Sequence, residues 1–295
     1  MIPLSASCQR VLATVLDQLA RGVRPWHQPW SPGTLAARAG LPLRACGRPY
    51  QGLNIVLLWM AQATLGVSGR TWMTRHRAGL LGASVRPGER SATVIYAAPR
   101  PARPGDPGAA RWMIRLYDVF NTDSIDGLPA RFHQPAPAVT PGPARIAAAE
   151  AFVRATGATI RLGGTRAYYA LGPDHIAVPE LACFRSAGSY YATLAHELVH
   201  WTRHPSRLDR DLGRRRFGDA GYAREELVAE LGAAFLCAEL GLEPEVRQDH
   251  AAYLATWLAL LRHDPRELLG AAGHAQRAVD HLTGLAAARP LDPAA

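Results

Sequence analysis

Apolar residues recur at helical spacing near the start of the chain. Val11, Leu12, Val15, Leu16 and Leu19 fall on one side of a helix expected over residues 7–20. The breaker-rich Pro25-Trp26-His27-Gln28-Pro29-Trp30 ends that pattern. A second apolar run, Ile55 to Leu65, predicts a buried helix, and Thr71-Trp72-Met73-Thr74 starts a short further element. The period then changes. Val85 to Arg90 reads as a turn, and Ala92–Tyr96 and Trp112–Phe120 read as paired strands. Between them Pro99 to Gly108 is a long hairpin loop rich in proline and glycine. These elements predict an α+β module.

From Pro129 to Pro143 the sequence cannot sustain a helix or a sheet ladder, so it reads as an extended linker. The expected organisation is a first domain over 1–131, a linker over 132–143 and a second domain over 144–295. In the second domain, Ala167–Ala170 and His175–Val178 flank Gly172-Pro173-Asp174 as a hairpin. A helix with Ser189 as its expected N-cap carries Leu194, Leu198 and Trp201 as an apolar stripe. Another helix, Tyr222 to Leu236, is small and apolar on most sides and ends near Gly241.

Charge separates the same two halves. Residues 1–131 hold 16 arginines against 6 acids and residues 132–295 hold 17 against 18, which together make the net +9 of the chain. A basic half joined to a near-neutral half points to a polyanion-binding module fused to something else. Five of the seven tryptophans, Trp26, Trp30, Trp59, Trp72 and Trp112, lie among those arginines. Cations along a phosphate backbone with aromatics stacking on bases suit single-stranded nucleic acid. No apolar run reaches the 18 residues of a membrane span. The opening residues lack the pattern of a secretion signal, and Cys8, Cys46, Cys183 and Cys237 form no paired motif. A cytoplasmic protein with reduced thiols is therefore expected.

The second half contains His196-Glu197-Leu198-Val199-His200. Histidines four apart on a helix share a face and can grip one ion, with Glu197 placed to take a proton from a water beside it. Glu226 and Glu230, also four apart, suit one further ligand and one carboxylate orienting a histidine. Their spacing leaves either role open to either residue. Glu225 is expected to face away into solvent. His204, just before Pro205, is out of register for a third histidine ligand.

With both halves read, the chain resembles the plasmid antirestriction protein ArdC family over nearly its full length. The resemblance rests on Gly47-Arg48-Pro49-Tyr50-Gln51-Gly52-Leu53-Asn54, Trp72-Met73-Thr74, Val85-Arg86-Pro87-Gly88-Glu89 and Tyr117-Asp118-Val119-Phe120-Asn121 in the first half. In the second it rests on Tyr190 through Thr202, Ser206-Arg207-Leu208 and Tyr222 through Leu231. It implies an N-terminal single-stranded-DNA-binding domain, a mainly helical zincin-like (gluzincin) metallopeptidase domain, and protection of incoming mobile DNA from host restriction. The gluzincin pattern assigns Glu226 to the metal beside His196 and His200, Glu230 to its support and Glu197 to catalysis. One Zn2+ per chain is expected, with another divalent transition metal as the alternative. Candidate DNA contacts are Arg44, Arg48, Tyr50, Asn54, Trp72, Arg75, Arg86 and Arg90. The expected partners are single-stranded DNA and a protein substrate or host restriction component, with no membrane. The competing reading is a DNA- or partner-binding protein whose zincin domain is a non-catalytic scaffold.

Overall fold

The structure is a computed structural model describing residues 5–26, 40–99, 112–133, 143–213, 219–242 and 250–288. Helix α1 (Ala6–Ala20) begins at Ser5, whose hydroxyl accepts from the Cys8 amide, and buries Cys8, Leu12, Val15 and Leu19. The two strands expected in the first half, β4 (Ala92–Pro99) and β5 (Trp112–Asn121), pair as expected and are extended by β2 (Thr71–Met73), the short element of unassigned type, and by β1 (Leu43–Arg44), which the sequence did not suggest. The sheet order is β1-β2-β5-β4. A short pair, β3 (Ser84–Val85) with β6 (Ile125–Asp126), adjoins it. Between β1 and β2 lies α2 (Leu53–Leu65), and after β2 comes the single turn α3 (Arg75–Gly79). The loop expected between β4 and β5 falls mostly outside the described residues, as does most of the proline-rich linker.

The second half opens with α4 (Pro143–Thr156), followed by β7 (Ile160–Leu162), β8 (Tyr168–Ala170) and β9 (His175–Val178). The predicted hairpin is the antiparallel pair β8–β9, and β7 joins β9 in parallel. Helices α5 (Ala187–Trp201), α6 (Ala220–Leu240), α7 (His250–His263) and α8 (Arg266–Ala288) complete the chain. Helix α6 is buried on most sides because α5 and α8 both pack against it. It stops at Gly241, whose φ of 68° is the left-handed conformation glycine adopts without strain.

One hydrophobic core crosses both halves. It unites Leu12 and Leu19 of α1 and Leu53 and Trp59 of α2 with Phe235, Trp257 and Leu282. The apolar face of α1 lies on α7, and Trp26 meets Trp257 edge-on at 6.1 Å. The amide of Gly52, at the start of α2, donates to Gln276 Oε1 of α8 at 2.9 Å. Among the described residues, no helix is long and apolar enough to cross a membrane.

Candidate metal centre and nucleic-acid interface

Helix α5 is capped by Ser186, three residues before the expected Ser189. The Ser186 hydroxyl accepts from the Ser189 amide at 3.1 Å, and Ser189 sits in the first turn. A serine lies at each position, and the chain enters from the short turn at Leu181–Cys183, which starts the helix a turn earlier. Leu194 and Leu198 are buried as predicted, which fixes the histidine face toward α6. His196 Nε2 lies 3.6 Å from Glu226 Oε2, and His200 Nε2 lies 3.6 Å from Glu226 Oε1. The two Nε2 atoms are 3.2 Å apart. Among the described residues this is the one group of histidine, cysteine and acid side chains able to share an ion, its ligand atoms all within 4.8 Å of one another. All three side chains are buried.

The helices approach closely because Gly232 of α6 faces Val199 of α5. A Cβ at Gly232 would stand 2.7 Å from Val199 Cγ2. The contact allows the Glu226 carboxylate to reach both imidazoles.

Behind the imidazoles lie two further acids. Glu230 Oε1 is 3.7 Å from His196 Nδ1, which places Glu230 behind the first histidine. Glu225 corrects the expectation of a solvated side chain. It is 1% exposed, its Oε1 is 3.0 Å from His200 Nδ1, and it accepts two bonds from Arg210, at 2.9 and 2.8 Å. A single apolar stripe implies one buried face, whereas α6 is enclosed on most sides, so adjacent glutamates both point inward. Each histidine thus presents Nε2 to the candidate ion site and Nδ1 to a carboxylate. That second contact, a hydrogen bond at His200 and a looser 3.7 Å approach at His196, orients the rings. Arg210, which the sequence reading missed, also bonds the Val199 carbonyl at 2.9 Å and Thr202 Oγ1 at 3.0 Å, closing the end of α5.

Electrostatics follow from this packing. Burial alone would lower the His200 pKa, but Glu226 and Glu225 facing it raise it to about 10. Burial opposes ionisation of Glu226, yet the two imidazoles hold its carboxyl well below the usual range. Glu225, also opposed by burial, is held at about 2 by Arg210 and His200. The chemistry of the donor set, two neutral-capable nitrogens and one carboxylate, fits a divalent transition metal. Glu197 is buried beside His196, 3% exposed. His204 is half-buried and bonds Ser206 at 2.7 Å, apart from this group.

The candidate nucleic-acid residues divide. Arg44, Arg48, Arg75 and Arg90 are exposed. Arg44 lies over the Tyr50 ring at 5.3 Å and Arg75 over Phe120 at 4.9 Å. Tyr50 is buried and its hydroxyl donates to the Trp72 carbonyl at 3.3 Å. Trp72 is 0% exposed and offers no face to a base. It packs with Leu58, Val94 and Val119 because β2 is an inner strand with helix α2 beside the sheet. Asn54 is held by the Ile95 backbone through bonds of 2.8 and 2.7 Å, tying α2 to β4. Arg86 is occupied by Glu89, Asp126 and the Asp123 carbonyl. Trp26 and Trp59 are also core residues, so three of the five tryptophans serve packing, while Trp30 and the side chain of Trp112 lie outside the described residues. Two exposed aromatics were not singled out from sequence. Tyr96 and Tyr117 are 51% and 40% exposed, stack edge-to-face at 6.2 Å, and share a sheet face with Arg115. Alternation along β4 and β5 places them on one side, but only the fold reveals that this end is uncovered.

Residues 6–120 match the family model described as the N-terminal domain of anti-restriction factor ArdC. Residues 147–274 match a zincin-like metallopeptidase model. An uncharacterised protein, y4eC, of Sinorhizobium fredii (strain NBRC 101917 / NGR234) is 38% identical over 92% of this chain and 90% of its own length. The DNA primase TraC of Escherichia coli is 39% identical over 92% of this chain but only 26% of its own length. The antirestriction ArdC protein from plasmid R388, solved metal-free, is 40% identical with a TM-score of 0.78, covering 95% of this chain and 97% of that one. Its Mn(II)-bound structure gives 39% and 0.79 over the same shares.

Proposed function

The chain belongs to the ArdC antirestriction family, and from that premise we propose that it binds single-stranded DNA through its first half and carries a competent zinc metallopeptidase in its second, protecting incoming mobile DNA from host restriction. The observation that carries the hydrolytic part is the complete donor set, His196, His200 and Glu226, with a carboxylate behind each imidazole and Glu197 retained beside it. A divalent ion held there supplies Lewis acidity, polarising a carbonyl and making a nearby water a better nucleophile. Glu197 takes the proton of the attacking water and delivers it to the leaving nitrogen. Glu225 bonds the His200 Nδ1 and Glu230 faces the His196 Nδ1 at 3.7 Å, so both Nε2 atoms are turned toward Glu226 and the ion site.

On the DNA side, the net charge of residues 1–131 and the exposed Arg44, Arg48, Arg75 and Arg90 follow the backbone of the strand. Tyr96 and Tyr117 supply the stacking surface that the buried tryptophans do not. The test is Glu197→Gln in the full chain. Cleavage of a peptide library is expected to fall by orders of magnitude, with metal content and single-strand affinity unchanged. Protection during DNA transfer into a restricting recipient is expected to persist, because covering DNA needs no chemistry. Loss of protection together with peptidase activity would assign the phenotype to proteolysis. An absence of any cleavage by the metal-loaded wild-type chain would favour the scaffold reading of the zincin half.

A further inference from the structure

Helix α6 contributes three buried glutamates to the metal centre, and two of them are themselves held by buried arginines. Arg210 holds Glu225, which bonds His200 Nδ1 at 3.0 Å. Arg24 holds Glu230, its Nη1 3.4 Å from Glu230 Oε2, and Glu230 Oε1 stands 3.7 Å from His196 Nδ1. The side chains of Arg24 and Glu230 are 6% and 4% exposed. The two relays share a chemical order of arginine, carboxylate, imidazole and ion site. They differ in origin, because Arg210 follows α5 whereas Arg24 comes from the segment after α1, within the half that matches the ArdC N-terminal-domain model.

We propose that Arg24 is a positioning residue of the metal centre, acting through Glu230 on His196, so that the first half of the chain supplies part of the second half's metal site. An arginine cannot shed its charge when buried, so Arg24 must be matched by an ionised carboxylate. Glu230 meets that need with one oxygen and keeps the other toward His196. The 3.7 Å gap is an electrostatic contact rather than a formed hydrogen bond. The relay on His196 is therefore the looser of the two and the more dependent on where its carboxylate is held. The position of Arg24 is fixed independently of the ion, because two residues later Trp26 packs against Trp257.

This inference rests on the reading that His196, His200 and Glu226 hold a divalent ion. It is tested with full-length Arg24→Met, Arg24→Lys, Glu230→Gln and the Arg24→Met/Glu230→Gln pair. Zn2+ and Mn2+ dissociation constants are measured by competition with a chromogenic chelator, and Co2+ loading gives the ligand-field absorption of the site. Arg24→Met is expected to weaken metal binding about 10- to 100-fold, the range for lost outer-shell partners. It should alter the Co2+ spectrum and leave single-strand affinity unchanged. Arg24→Lys should recover part of the loss. Adding Arg24→Met to Glu230→Gln should change affinity less than twofold, because the relay is already cut. Wild-type affinity in Arg24→Met, or a further tenfold loss in the pair relative to Glu230→Gln, overturns the proposal. If Arg24→Met leaves an unmatched buried carboxylate and does not fold, the pair against Glu230→Gln still decides. Failure of the wild-type chain to bind any ion, or full binding after His196→Ala, would instead sink the reading of the metal site itself.

Discussion

Gly232→Ala adds one methyl group where α6 faces α5, and the structure says how much room that methyl has. The new Cβ would lie 2.7 Å from Val199 Cγ2, 3.0 Å from Cγ1 and 3.5 Å from Cβ. Ordinary carbon contacts start at about 3.5 Å, so the closest pair is roughly 0.8 Å too near. Val199 is 0% exposed and β-branched, so it cannot rotate away cheaply. The helices must separate. Overpacking of this kind costs about 1–3 kcal/mol, while replacing glycine inside a helix returns up to ~1 kcal/mol. Net destabilisation should therefore be about 0–3 kcal/mol. Metal binding should suffer more, since ligand distances are tolerated only to about ±0.2 Å. We expect at least a tenfold rise in the metal dissociation constant with a modest change in Tm. Gly270→Ala is the control, since Gly270 lies within α8 with no atom near its would-be Cβ, and it should raise stability. Val199→Ala combined with Gly232→Ala should restore most of the affinity. If Gly232→Ala binds metal as the wild type does and gains stability like Gly270→Ala, the close approach of the helices does not set the site.

In the ion-free protein the His200 pKa, ordinarily 6.5, is raised to about 10. The stability contributed by its proton is fully present below about pH 6.5 and is lost as pH rises through about 10. Metal must displace that proton, so affinity should rise by about tenfold per pH unit between 6.5 and 9, with about one proton released per ion at pH 8. Calorimetry in buffers of different ionisation enthalpy reads the proton, and a flat affinity across that window refutes the assignment. On the DNA side, Arg48→Glu or Arg75→Glu should weaken single-strand binding and flatten its salt dependence, while Arg262→Glu in the second half should do neither. Tyr96→Ala should cost about 1–3 kcal/mol of single-strand affinity if a base stacks there, and an unchanged dissociation constant would remove that surface from the interface.

The parts legible in the sequence are those in which spacing alone dictates geometry. His196 and His200 share a face because any helix places residues four apart together, and Glu226 joins them because its own helix is long and apolar enough to be buried. The β4–β5 and β8–β9 pairs were likewise readable from alternation and breakers. What escaped depended on which surface covers which. Trp72 looked like a base-stacking residue until the sheet order placed β2 inside, and Arg86 looked free until Glu89 and Asp126 enclosed it. Glu225 escapes a stripe count, which assumes one buried face, because α6 has more than one. Arg24 and Arg210 carried no local signal at all. Each matters through a carboxylate on another element, 206 residues away for Arg24 and 15 for Arg210, and one-dimensional patterns do not encode such pairings.

The proline-rich stretch divides the composition of the chain more sharply than it divides its packing. Leu12, Val15 and Leu19 of α1 are essentially inaccessible to solvent, and α1 lies on α7 from the far end of the sequence. Burial of those three aliphatic side chains contributes on the order of 5–9 kcal/mol, at about 1.5–3 kcal/mol each. That is comparable with the whole net stability of a typical domain, ~5–15 kcal/mol. A segment grouped by sequence with the basic first half is thus as important to the helices around the candidate ion site as to its own neighbours. Cutting the chain at the linker would strip α1, Arg24 and Trp26 from the second half, perturbing core and ion site together. Point substitutions such as Glu197→Gln, which change one proton acceptor and leave every one of these contacts in place, are therefore the cleaner way to separate what the two halves do.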